Sequence, residues 1–215
     1  MTYPIDITVT RQGELIYSDY NHRTVNIVRN GKTETMITTP RGWHPEGLCC
    51  TISGDMVVSM CTTDNSHRKI VRYQGQRVTQ KIDKDEHGDP IYQGGEYVMY
   101  VVGNNNGDIV ASDGNADTVV VVDRTGKVRF RYNNKPPGGK ESFFPTQIAT
   151  DSMGHIIVVD QINNCLHILD QNGQFLGCVD NCELEHPMGL NVDSEGRLWV
   201  ELFDSGEVKV MQYMK

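Results

Sequence analysis

Short apolar runs separated by Gly, Asn and Asp recur along the whole chain, and no ten-residue stretch places its apolar side chains at helical spacing. This patterning predicts an all-β, antiparallel protein. Stacking the chain on the glycine that precedes each β-rich run reveals a repeat. Five stretches align: Gly13-Glu-Leu-Ile-Tyr-Ser-Asp19, Gly54-Asp-Met-Val-Val-Ser-Met60, Gly107-Asp-Ile-Val-Ala-Ser-Asp113, Gly154-His-Ile-Ile-Val-Val-Asp160 and Gly196-Arg-Leu-Trp-Val-Glu-Leu202. Their glycines stand 41, 53, 47 and 42 residues apart, close to the period of roughly 40 to 50 residues of a propeller blade. Each stretch has one apolar run before it and one after it. Four of the five add a turn glycine and a fourth, more polar run, such as Lys32-Thr-Glu-Thr-Met-Ile37. Buried inner strands grading to an alternating outer strand are what radial packing of small sheets produces. The expectation is a single β-propeller domain over residues 1–215 with four-stranded antiparallel blades at about 4–38, 45–83, 96–134, 145–181 and 187–215, the last lacking its outer strand.

The recurrent Pro-x-x-Ile, Gly-x-Ile-x-Val-x-Asp and Asp-x-x-Gly elements resemble the NHL repeat. The stretches Asn105 to Asp113 and Val122 to Tyr132 are similar to the C-terminal NHL region of tripartite-motif (TRIM) proteins. The resemblance implies a propeller usually of six blades that serves as the substrate-binding end of a RING-type ubiquitin ligase. The implied ligand is a protein or peptide, with RNA in some members. No Cys-x-x-Cys pair is present, so zinc-binding RING and B-box modules are absent from these residues, and a RING, B-box and coiled-coil region is expected upstream. Because the first strand begins at Ile5, the expectation is an open, C-shaped array, the C-terminal five blades of a six-bladed propeller, exposed on both faces where a sixth would pack.

Charge changes the picture unevenly. Residues 1–150 hold 17 acids and 17 bases, whereas residues 151–215 hold 11 acids and 3 bases, so the net charge of -8 resides in the last 65 residues. That balance disfavours general nucleic-acid binding. The local exception is Arg124, Lys127, Arg129, Arg131, Lys135 and Lys140, interleaved with Phe130 and Tyr132, which could neutralise and stack a single strand of RNA. The alternation over Val128 to Tyr132 reads instead as a solvated outer strand. No apolar run long enough for a membrane helix and no signal peptide is visible, and the six cysteines form no disulfide framework, which predicts a cytoplasmic protein that does not engage membranes.

In a propeller, the loops joining strands two and three share one face with the loops between blades, and that face usually binds the ligand. The residues expected there are Asn21, His22, Arg23, Arg41, Trp43, His44, Glu46, Arg68, Phe143, Phe144, Asn163, Asn164 and His186. Aromatic rings beside Arg and His on loops are typical recognition anchors, although Trp43, Phe143 and Phe144 equally suit wedges between blades.

No catalytic motif is found: Gly-x-Ser-x-Gly, the phosphate-binding loop and His-Glu-x-x-His are all missing. A calcium-dependent lactonase on a related propeller would need several oxygen ligands converging in the central channel. The positions expected to line it, Ile5, Glu46, Tyr97, Thr146 and Met188, supply one carboxylate. Cys178, Cys182 and His186 are evenly spaced but sit on a strand end and a loop without a fourth ligand, so no metal site or cofactor is assigned. The sequence reads as a non-enzymatic recognition module, with RNA binding and then a lactonase-like hydrolase as the alternatives.

Overall fold

The computed structural model describes residues 1–134, 142–180 and 183–213. Nineteen strands are assigned among them. The first blade consists of β1 (Pro4–Val9), β2 (Leu15–Asp19), β3 (Thr24–Arg29) and β4 (Lys32–Thr38). The second consists of β5 (Trp43–Cys50), β6 (Met56–Thr62), β7 (Arg68–Gln74) and β8 (Arg77–Ile82), and the third of β9 (Tyr100–Gly103), β10 (Ile109–Asp113), β11 (Thr118–Val122) and β12 (Val128–Tyr132). The fourth holds β13 (Pro145–Thr150), β14 (Ile156–Asp160), β15 (Cys165–Leu169) and β16 (Phe175–Val179). The fifth has three strands, β17 (Pro187–Val192), β18 (Leu198–Leu202) and β19 (Val208–Met211). Every sheet pairs its strands antiparallel in sequence order. The protein is thus a five-bladed, all-β propeller, and among the described residues no helix is long and apolar enough to cross a membrane.

The repeat glycines work as turn residues: Gly13, Gly54, Gly107, Gly154 and Gly196 all have φ between 76° and 89°, where a Cβ is unfavourable. After each turn the second strand runs into the core, as in β10 and β14, all five residues of which are buried.

An irregularity follows the inter-blade prolines. Pro4 pairs with Asp19, yet the next pair is Ile7 with Tyr17, so β1 carries one residue more than β2. The same bulge follows Pro45, Pro145 and Pro187. Because side chains alternate along a strand, an extra residue moves each later side chain to the other face. The channel expectation is corrected accordingly. The central cavity, about 470 Å³, is lined by Asp6, Leu48, Val101, Gln147 and Gly189, and not by Ile5, Glu46, Tyr97, Thr146 or Met188.

The serine of the repeat secures the innermost strands. Ser18 Oγ accepts the Asp6 N–H (3.1 Å) and donates to the Glu46 carbonyl of the next blade (2.7 Å). Ser59 Oγ accepts the Gly47 N–H (2.8 Å) and donates to the Met99 carbonyl of the third blade (2.5 Å). Gly47 has no room for a side chain, since a Cβ there would lie 2.7 Å from both the Met99 oxygen and the Tyr100 Cα.

Four apolar cores join neighbouring blades. Ile16, Ile27, Val58 and Val71 pack between the first and second, and Val57, Ile70, Ile109 and Val120 between the second and third. Val110, Val121, Ile156 and Leu169 fill the third interface, and Ile157, Leu166, Leu198 and Val200 the fourth. Among the described residues no such core joins the fifth blade to the first. Ile7, Val9 and Leu15 on one side and Trp199 and Val208 on the other remain exposed and border the same central cavity.

Candidate functional site

The connection from Ile82 to Tyr100 is the long one of the propeller. It folds back through a bridge between Lys84 and Pro90, and its Ile91, Tyr92 and Met99 are buried in the core between the second and third blades. Gly94 lets it approach the second blade, since a Cβ would meet the Ser66 carbonyl oxygen at 2.3 Å. Between this connection and the ends of β5, β6 and β7 lies a cavity of about 290 Å³, lined by Trp43, Thr62, His67, Arg68, Lys84 and Gln93 among others.

Its walls combine an aromatic surface with fixed charges. Trp43 is half-buried, packs against the first inter-blade core, and has the Lys69 ammonium 3.4 Å from its ring centroid. Burial, with Lys81 nearby, holds the Lys69 pKa below its ordinary value. Arg68 is buried and pairs with the Glu46 carboxylate, while its second guanidinium nitrogen donates to the Gly95 carbonyl at 2.8 Å. Burial pushes the Glu46 pKa up to about 7 despite the Arg68 charge and the Met99 N–H. The Arg68 Nε and the Tyr92 hydroxyl are buried without hydrogen-bond partners. Asp64 accepts the Thr62 hydroxyl (2.6 Å) and the Ser66 hydroxyl (2.7 Å), which hold its pKa well below the usual carboxylate range.

The sequence-derived residues separate into three groups. Trp43 and Arg68 line the cavity, and Glu46 anchors Arg68 from below. His44 lies beside them on the first-blade side: its ring stacks on Tyr20 at 4.3 Å, and its nitrogens meet the Tyr20 carbonyl (2.8 Å) and the Thr63 hydroxyl (3.1 Å). Arg41 is exposed. Asn21, His22 and Arg23 form the first-blade turn, with His22 Nδ1 2.8 Å from Asp19 and Arg23 in the left-handed region at φ 58°.

Phe143, Phe144, Asn163, Asn164 and His186 do not line this cavity. Phe143 is corrected from loop anchor to core residue: it is 2% exposed and packs against Tyr132 and His167, because the chain enters β13 only after burying that ring. Glu46 and Arg68, each 3% exposed, act through each other and the cavity wall, not as freely exposed groups. Phe144 meets Tyr97 edge-on at 4.7 Å. Asn163 donates to Asp160 (2.9 Å), Asn164 accepts the His186 N–H (3.0 Å), and the His186 ring pairs with Asp204. The connection at 83–94, which roofs the cavity, was missed by sequence reading. Its signal was the 53-residue glycine spacing, the longest of the four.

Of the basic strip, Arg124 and Lys127 lie in the turn between β11 and β12, and Arg129 and Arg131 on β12, the outermost strand of its blade. Arg129 pairs with Asp108 and donates to the Gln171 carbonyl (3.2 Å) and Asn172 (3.0 Å), and Arg131 donates to the Ile91 carbonyl (2.8 Å). Lys135 and Lys140 lie outside the described residues.

No protein-family model matches the chain. It is 29% identical over 111 residues to Protein brain tumor of Drosophila melanogaster, an NHL-repeat protein, a match covering 51% of this chain and 10% of that protein. Virginiamycin B lyase from Staphylococcus aureus superposes with a TM-score of 0.68 at 18% identity, over 99% of this chain and 70% of that one. A chain of the nidogen/laminin complex superposes with a TM-score of 0.68 at 15% identity, over 98% of this chain and 76% of that one. The structural likenesses show the fold, and they span an enzyme as well as a binding protein. The chain is a five-bladed β-propeller with a homologue among NHL-repeat proteins.

Proposed function

We propose that the protein is a non-enzymatic recognition module that takes a protein segment into the loop-face cavity between Trp43 and the 83–94 connection. The observation that carries this reading is the combination in one cavity of an indole with His67, Arg68, Lys84 and Gln93. An apolar surface with a few placed polar groups is the usual composition of a peptide anchor site. The NHL-repeat homologue supports the same reading. In that framework the module serves as the substrate-binding end of a TRIM-type ubiquitin ligase acting in the cytoplasm, with RING, B-box and coiled-coil segments upstream.

The RNA alternative is weakened by the basic strip, whose Arg129 and Arg131 are engaged within the protein. A lactonase-like reading has the channel groups Asp6, Gln147, Asn191 and Glu201 in its favour, but Asp6 is already occupied by the Leu48 and Ile7 N–H groups at 2.8 and 2.9 Å.

The test is selection of peptides from a random phage-displayed library, followed by titration. Peptides that lose at least tenfold in affinity with His67→Ala or Lys84→Ala, both variants melting like the parent, support the cavity. Binders indifferent to both variants overturn it. Tight, salt-sensitive binding of single-stranded RNA that is lost with Arg124→Glu would install the RNA reading instead.

A further inference from the structure

The strongest unassigned chemistry lies in the fourth blade. Asp160 ends β14, Cys165 opens β15 as its register partner, and His167 follows two residues on, so Cys165 and His167 point to the same face. Cys178 on β16 pairs with His167 and therefore shares that face. Asp160 and His167 are 0% and Cys165 1% exposed. The ligand atoms of Asp160, Cys165 and His167 all lie within 4.8 Å of one another, and Cys178, outside that close set, reaches it through the Cys165 thiol, its nearest member.

We propose that Asp160, Cys165, His167 and Cys178 form a tetrahedral site for a structural zinc ion within the fourth blade. His167 Nε2 stands 3.2 Å from Asp160 Oδ2, while it is buried without an accepted hydrogen-bond partner. Nitrogen and oxygen ligands bound at about 2.0 Å around a tetrahedral ion stand about 3.3 Å apart, so the spacing is that of two ligands on one ion.

The surroundings suit a metal. His167 Nδ1 lies 2.8 Å from the Tyr132 hydroxyl, which can accept its proton and leave Nε2 free for the ion, the outer hydrogen bond that ligating histidines generally make. Asp160 Oδ1 is held by the Phe144 N–H (3.2 Å) and the Asn163 N–H (3.4 Å), and Oδ2 accepts the Asn163 side-chain amide (2.9 Å), which fixes the carboxylate with the second lone pair of Oδ2 available on the imidazole side. Phe143 and Phe175 pack on the His167 ring and keep water away. On binding, each thiol gives its proton to solvent and becomes a thiolate ligand. The set is distinct from the sequence spacing Cys178, Cys182 and His186, since the His186 ring faces Asp204 and Cys182 lies outside the described residues.

The experiment uses the 215-residue chain stripped of metal with a chelator and titrated with Co²⁺ alone, then with Zn²⁺ alone. The expected result is one equivalent of cobalt with a thiolate-to-metal charge-transfer band, displaced by zinc, and a higher melting temperature with zinc than without. Cys165→Ser and Cys178→Ser should abolish the band and the zinc-dependent rise, and Cys50→Ser on the second blade should keep both. Should Cys165→Ser fail to fold, the half-buried Cys178 carries the test alone. A folded wild-type chain that shows no band, or a band that survives Cys178→Ser, overturns the proposal and leaves a buried polar cluster in which His167 bonds Tyr132 and stands beside Asp160. Neither outcome bears on the loop-face cavity, which lies in another blade.

Discussion

The Lys69 ammonium sits 3.4 Å from the centroid of the Trp43 ring, on a side chain whose residue is only 8% exposed. The indole therefore supports a buried cation as well as walling the loop-face cavity. Trp43→Ala should lower stability by about 2 kcal/mol through lost packing and lost cation–π attraction. Lys69→Met keeps the packing and should cost about 0.5–1 kcal/mol. Urea unfolding of the two variants measures both; equal losses would mean that the charge, not the indole, dominates.

Ser59 on β6 ties β5 to the residue just ahead of β9 in the next blade, through the Gly47 N–H and the Met99 carbonyl. Ser59→Ala leaves both backbone groups buried and unpaired, which costs about 1–3 kcal/mol. The expected signature is a lowered melting temperature together with faster hydrogen exchange at the Gly47 amide. An unchanged exchange rate would show that the tether is dispensable.

Asp6 gives the protein a pH dependence of defined sign. Burial pushes its carboxyl from the ordinary 3.8 up to about 6, outweighing the Leu48 and Ile7 N–H bonds and the Gln147 side chain. The folded state thus holds this proton more tightly than the unfolded chain, so unfolding free energy falls as pH rises from about 4 to about 6. Glu46, raised to about 7, acts in the same direction and extends the fall upward. Asp6→Asn should flatten the lower part of that slope, read as melting temperature against pH.

Ile7, Val9 and Leu15 on the first blade and Trp199 and Val208 on the fifth present apolar sheet faces to solvent. Exposed sheet surface of this kind promotes self-association. Ile7→Lys combined with Val208→Lys should raise the concentration at which light scattering detects aggregates, with the melting temperature unchanged.

The number of blades, their strand order and the turn glycines were legible in the sequence, because Gly13, Gly54, Gly107, Gly154 and Gly196 each mark a left-handed turn before a buried strand. The channel positions were not legible. The bulge after Pro4, Pro45, Pro145 and Pro187 adds one residue that strict alternation does not announce. Trp43 and Arg68 could be assigned to the loop face because each sits at a strand end, but their meeting at one cavity was not legible, since it depends on the 83–94 connection. Phe143 could not be told from its neighbour Phe144, since two adjacent aromatics carry no mark of which one turns inward. The cluster of Asp160, Cys165, His167 and Cys178 stayed hidden because its members meet through cross-strand register, and in sequence Cys178 stands closer to Cys182 and His186.

A closed circle of blades fixes its own diameter, because the angles between neighbours must add up to a full turn. Among the described residues the apolar cores number four for five blades, so no buried apolar core enforces that sum at the seam between the fifth blade and the first, where Leu15 and Trp199 border the central cavity. The width of the cavity is set at that seam with less apolar packing behind it than at the other junctions.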